Sequence, residues 1–251
     1  MLAQEVGMSS DNDKSVARRN FLRTSLSLIP AVTLSGSVLA TGDTDAKRNP
    51  SSETPADARP YQPTFFKPLE WAFLLAACDR LIPADDIGPG ALESGVPEFI
   101  DRHMQTPYAS GDIWYRQGPF IDSLSEFGYQ GRLALREIIQ IGIAAIEKYC
   151  LAEFSGKRFS DLTAEQQTDI LKAAEGGKLE LEDISAKLFF SQLLAETRNG
   201  YFSDPLHGGN KNMGAWKMIG YPGMRADYLD WVGVRDRAYP LPPVDLSGKR
   251  G

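Results

Sequence analysis

The stretch from about Gly131 to Phe154 constrains the fold more than any other. Ile138, Ile139, Ile141, Ile143, Ala144, Ala145 and Ile146 are apolar nearly all the way round a helical wheel. A helix of that kind belongs in the middle of a core, with other helices around it. Four further segments supply them. Pro68-Leu69-Glu70 opens a run in which Trp71, Leu74, Leu75, Cys78, Leu81 and Ile82 recur at helical spacing, until Pro83 stops it. Val96-Pro97-Glu98 starts a second helix, with Pro early, a carboxylate in the first turn, and Phe99, Ile100, His103 and Met104 along its apolar side. Thr163 and Gln166 form a capping box for a short helix that ends before Gly176-Gly177. The last helix runs from Leu181 or Glu182 to Arg198, with Ile184, Leu188, Phe189, Leu193 and Leu194 on one side and a break at Asn199-Gly200. No run of alternating strands appears, so the class is all-α, a single helical domain with long ordered Gly/Pro-rich loops.

That domain spans residues 61–239, roughly 180 residues and enough for one full-sized core. Residues 41–60 read as a flexible linker, because Asp, Lys, Arg, Ser, Thr and Pro dominate with nothing to bury. Residues 240–251 form a tail whose Pro240-Leu241-Pro242-Pro243 is extended, with docking on a partner and staying loose both open. Residues 1–40 carry a different grammar. Arg18 and Arg19 are followed by Phe21 and Leu22, and then by about 17 uncharged, mildly apolar residues from Thr24 to Ala40. This is the pattern of a twin-arginine signal peptide, whose route exports proteins already folded, often with a cofactor or partner attached. The uncharged stretch is marginal for a stable membrane span. Whether cleavage follows Val38-Leu39-Ala40, or the uncleaved signal tethers the protein to the membrane, stays open.

No cofactor motif follows the signal. There is no Cys-x-x-Cys-His for haem c, and two cysteines are too few for an ordinary iron–sulfur cluster. Gly88-Pro89-Gly90 follows no strand and does not continue as a dinucleotide fingerprint. With His103 and His207 the only histidines, a zinc site of usual make-up would need carboxylates from distant segments. The net charge of −6, with no basic patch, argues against nucleic acid as a partner.

Three constellations each have a bland and a sharp reading. Asp85-Asp86, with Asp79 and Glu93 nearby, is favoured as turn-bonding carboxylates over a Ca²⁺ loop or an acid/base pair. His103 is favoured as a hydrogen-bonded core or interface imidazole over a ligand. Cys78 and Cys150 leave three arrangements open: a disulfide between them, a bridge to a partner chain, or two buried thiols.

Two stretches carry a resemblance. One is Leu81-Ile82-Pro83-Ala84-Asp85-Asp86-Ile87-Gly88-Pro89-Gly90-Ala91, continuing through Gly95-Val96-Pro97-Glu98-Phe99-Ile100-Asp101. The other is Gly200-Tyr201-Phe202-Ser203-Asp204-Pro205, then Gly208-Gly209-Asn210, Trp216-Lys217 and Ile219-Gly220-Tyr221-Pro222-Gly223. With the twin-arginine leader, they resemble the gluconate 2-dehydrogenase subunit 3 family, the small (gamma) subunits of membrane-bound sugar and sugar-acid dehydrogenases. The resemblance covers about residues 65–225. His207 departs from it, standing where the family usually has Tyr before Gly-Gly-Asn.

The resemblance implies a subunit with no cofactor and no catalytic residue of its own. FAD would sit in a large partner of the glucose–methanol–choline oxidoreductase type. Electrons would leave through a multihaem cytochrome c subunit carrying haem c. The small subunit would escort the flavoprotein to the periplasm, where the complex associates with the inner membrane. The Gly/Pro/Asn-rich segment 200–223 is the candidate partner interface. Tyr201, Trp216 and Tyr221 are its possible aromatic anchors, set among Asp204, Pro205, His207, Gly208, Gly209, Asn210 and Pro222. The competing reading is that these aromatics only pack the loop onto the helices. Two other functions compete with the escort: a standalone exported enzyme using Asp85, Asp86 and Glu93, perhaps with a metal, and an exported binding protein with no oxidoreductase partner.

Overall fold

The computed structural model describes residues 60–121 and 124–251. The twin-arginine residues Arg18, Arg19, Phe21 and Leu22, and the linker before Pro60, lie outside the described residues. Within them the chain is helical. Helix α1 spans Pro68–Leu81, α2 Val96–His103, α3 Pro107–Ser110, α4 Leu135–Glu153, α5 Ala164–Glu175, α6 Ala186–Phe202 and α7 Gly214–Ile219. The only β pairing among the described residues is two isolated bridges, Gly223 with Val244 and Val244 with Arg250.

Local signals set several of these boundaries. The Glu70 carboxylate accepts the Lys67 N–H at 2.9 Å at the start of α1. Thr163 and Gln166 exchange side-chain-to-backbone bonds at the start of α5. Two other boundaries differ from the expectation. Helix α4 begins at Leu135 rather than near Gly131, because Glu137 reaches back to the Ala134 N–H at 2.6 Å while Ala134 is extended. Helix α6 begins at Ala186, where the Ser185 hydroxyl accepts the Leu188 N–H, and it runs through Asn199-Gly200 to Phe202. Gly200 does not break it. A side chain there would press on the ring of Phe99 from α2, so the glycine is a packing residue.

The axis of the core is α6, not α4 as the sequence implied. Helix α6 packs against α2, α4 and α5 and also touches α1 and α7. Helix α4 buries Ile138, Ile139, Ile143, Ala145, Ile146 and Cys150, but leaves Ala144 exposed and Ile141 only half-buried. It is amphipathic after all. Phe73, Phe159 and Phe189 meet at the centre, with ring centroids 4.6 Å apart for Phe73–Phe159 and 6.1 Å for Phe73–Phe189. Gly142 of α4 lies so close to the Phe189 ring that a Cβ would overlap it. Alanine is worth about 1 kcal/mol over glycine inside a helix. Here the steric cost wins, and Gly142→Ala should destabilise the protein by about 1–3 kcal/mol, seen as a lowered melting temperature.

Ahead of α1, residues 61–66 form a strap tied to one carboxylate. Asp101, fully buried on α2, accepts the Tyr61 hydroxyl at 2.8 Å, the Thr64 N–H at 2.8 Å and the Thr64 hydroxyl at 3.0 Å on Oδ2. On Oδ1 it accepts the N–H groups of Phe65 at 3.1 Å and Phe66 at 3.0 Å. Burial alone would raise the Asp101 pKa. The amides of Thr64, Phe66 and Phe65 and the Tyr61 hydroxyl outweigh it and hold the group below the ordinary carboxylate value.

Candidate partner interface

Segment 200–223 is built from side chains that satisfy backbone. At the end of α6, Asp204 caps a 3-10 turn, Pro205–His207, by accepting the Leu206 N–H at 3.0 Å on Oδ1. Its Oδ2 accepts the Leu246 N–H at 2.8 Å, so one carboxylate holds both the turn and the C-terminal tail. Gly209 then passes so near the Gly200 carbonyl that any Cβ would collide with it. Asn210, fully buried and left-handed at φ 44°, donates to the Ser203 carbonyl at 3.0 Å and accepts the Ala215 N–H at 3.0 Å. That second bond helps start α7. On the outer side, Glu98 of α2 pairs with Arg102 at 2.5 Å and Lys211 at 2.7 Å, fastening the segment to the helices.

The two large anchors point inward. Trp216 is 3% exposed, and its indole N–H donates to the Phe202 carbonyl at 2.9 Å, taking up one of the free carbonyls at the end of α6. Tyr201 is buried and donates its hydroxyl to the Pro89 carbonyl at 2.7 Å, tying the segment to the turn after α1. Burial, then the charge of Asp85, raises its pKa. In the isolated chain these two aromatics pack the loop onto the helices. Gly208, Gly209, Asn210 and Pro222 are buried with them. Tyr221, His207 and the neighbours Leu206, Ile219 and Met224 remain exposed, and Tyr221 stands edge-on to Trp216 at 5.1 Å.

The tail packs back onto the segment. Its Val244 N–H donates to Pro222 and the Met224 N–H donates to Val244, so residues 242–246 close over the segment.

The remaining constellations resolve locally. Asp85 Oδ1 accepts the N–H groups of Ile87 at 2.8 Å and Gly88 at 3.1 Å, and Asp79 pairs with Arg80. These are turn and surface bonds. No group of three or more metal-ligating side chains occurs among the described residues. His103 donates from Nδ1 to Glu196 Oε2 at 2.6 Å and stacks on Tyr108, a hydrogen-bonded imidazole between helices. Cys78 and Cys150 are both free thiols. Burial pushes each pKa up to about 12 and keeps both in the unreactive thiol form.

One surface was not singled out from the sequence. The described residues between α3 and α4 are largely non-helical, and with α4 and α6 they line a cleft of about 740 Å³. Trp114, Phe120, Phe127 and Tyr129 line one side, and Ile138 of α4 with Gln192, Glu196 and Asn199 of α6 line the other. Arg116 braces the loop by donating to the carbonyls of Ser110 and Arg132. The signal was present in the sequence as a density of large apolar residues, Ile113-Trp114-Tyr115 and then Phe120-Ile121, Leu124, Phe127 and Tyr129, with neither helical nor strand period.

The family model for gluconate 2-dehydrogenase subunit 3 matches residues 68–223, from the first residue of α1 to the glycine bridged to the tail, and the chain belongs to that family. The family is that of an accessory subunit in an oxidoreductase complex. No curated protein and no solved structure matches the chain.

Proposed function

We propose that the chain is the non-catalytic small subunit of a periplasmic, membrane-associated, FAD-dependent sugar or sugar-acid dehydrogenase. Its task is to bind the flavoprotein subunit, stabilise it and carry it through twin-arginine export. The observation that carries this reading is the family match over the whole helical body together with Arg18 and Arg19 ahead of it. FAD belongs to the large partner and haem c to a cytochrome partner. Gly88-Pro89-Gly90 is no phosphate cradle: it follows helix α1, and the Ile87 and Gly88 N–H groups close a turn on the Asp85 carboxylate. None of the described helices is long and apolar enough to cross a membrane, so attachment falls to the complex or to the leader.

Changing Arg18 and Arg19 together to lysine should leave the flavoprotein in the cytoplasm, measured as loss of flavin-dependent dehydrogenase activity from the periplasmic and membrane fractions. If the flavoprotein still reaches the periplasm, the escort role fails. Turnover and a bound metal in the isolated chain would instead support a standalone enzyme.

A further inference from the structure

We propose that the hollow between helix α7 and the C-terminal tail binds a phosphate group, carried by a lipid head group or by a soluble phosphate ester. The site goes beyond the accessory-subunit reading and does not rest on it. The hollow has a volume of about 280 Å³ and is lined by Lys217 of α7, by Lys249 and Arg250 of the tail, and by Leu206, Asn212 and Asp245. Only the fold brings the three cations together. The tail is drawn back by the Leu246 N–H on Asp204 at 2.8 Å, by the Gly251 N–H on the Pro243 carbonyl at 2.9 Å, and by the bridge between Val244 and Arg250.

Among the described residues, none of the three cations lies within 4.0 Å of a carboxylate, whereas Lys211 is paired with Glu98 at 2.7 Å. The carboxylate in the lining is already engaged. Asp245 is 5% exposed, and its Oδ1 accepts the Ser247 hydroxyl at 2.6 Å and the Lys249 N–H at 2.8 Å. Gathering three like charges around one hollow costs Coulomb energy that a bound anion removes. The chain carries −6 overall, so its general field repels anions and the attraction is local. The number of donors then selects the anion. A carboxylate is satisfied by one arginine fork. Two ammonium groups, a guanidinium and the Asn212 amide around one hollow suit a group with a charge of about −2 and three acceptor oxygens, which is a phosphate. Leu206, 59% exposed at the rim, and Leu246, 55% exposed beside Asp245, are placed to meet an apolar chain where the phosphate belongs to a lipid.

The test uses the purified full chain. Inorganic phosphate is titrated against acetate by calorimetry, and flotation with phosphatidylglycerol vesicles is compared with flotation on phosphatidylcholine alone. Saturable phosphate binding that acetate does not match supports the proposal. Lys217→Gln with Arg250→Gln should weaken it about tenfold or more, the loss of charge-assisted hydrogen bonds. Both side chains are exposed, so the melting temperature should stay unchanged. Lys178→Gln with Lys187→Gln removes the same charge from exposed positions outside the hollow and should leave binding intact. Flotation on phosphatidylglycerol that is lost with Lys217→Gln and Arg250→Gln supports the site and assigns the phosphate to a lipid. Phosphate binding without flotation supports it and assigns the phosphate to a soluble ester. Absence of both phosphate binding and flotation overturns the proposal, as does binding that survives the changes at Lys217 and Arg250 or that acetate equals. A chain that binds phosphate and co-purifies with no flavoprotein keeps this site and removes the accessory-subunit reading.

Discussion

Replacing Asp101 with asparagine should lower stability by about 3–5 kcal/mol, because five donors converge on a carboxylate that has no exposure to water. Asparagine keeps the shape and one acceptor oxygen. Its amide nitrogen must then face either the Thr64 and Tyr61 donors or the Phe65 and Phe66 amides. Either way buried N–H or O–H groups are left without partners, and hydrogen bonds to a full negative charge become weaker neutral ones. For a domain of this size the loss corresponds to a fall in melting temperature of about 10 °C.

The same residue sets a pH dependence. Its folded pKa lies below its unfolded value, so the carboxylate contributes its full stability above the unfolded pKa, near 4. That contribution is lost as pH falls through the lower, folded pKa. The gap in melting temperature between the wild type and Asp101→Asn should therefore be widest near neutral pH and close progressively below about pH 4. A gap that stays constant down to pH 2.5 would mean the strap is held by the packing of Phe65 and Phe66, not by the charge.

Asp101 also shows where the sequence stops being legible. It sits on the same short helix as Pro97 and Glu98, whose positions announce the helix start from local chemistry alone. Its own role depends on donors 35 to 40 residues away, and no spacing rule reaches that far. The same division recurs along the chain. Pro68 and the Thr163–Gln166 box mark helix starts because their partners lie within one turn. Asn199-Gly200 reads locally as a break, yet α6 continues, since the packing of Phe99 against Gly200 outweighs the weak helix propensity of glycine.

The candidate interface divides in the same way. Gly, Pro and Asn in segment 200–223 suggest irregular backbone, yet Gly200–Phe202 continue α6 and Gly214–Ile219 form α7, with two 3-10 turns between them. Which aromatic faces inward is decided by the free carbonyl of Phe202, which only exists once α6 has been drawn out to that residue. The cleft was missed because its signal is a density of apolar side chains, and period is what a helix search counts.

Trp216→Ala gives the second large effect, a loss of about 3–5 kcal/mol, the usual range for truncating a buried aromatic. The indole fills the space between α6, Tyr221 and the chain at Gly223, whose backbone pairs with Val244 of the tail. Removing it opens a cavity, leaves the Phe202 carbonyl without its donor, and takes away the surface on which Tyr221 rests. Trp216→Phe separates the two contributions: it restores much of the ring contact without the hydrogen bond, and should recover most of the loss while remaining about 1 kcal/mol short. Hydrogen exchange localises the damage, with faster exchange expected at the Met224 and Val244 amides, which pair the segment to the tail. Unchanged exchange there and an unchanged melting temperature in the alanine variant would mean that Trp216 does not carry the fold of the segment. Because the indole is inside, a weakened complex in Trp216→Ala would not by itself place it at the interface. Tyr221→Ala makes that comparison on the surface: the ring is 41% exposed, so its loss should spare the fold and weaken partner binding only if this face is in contact.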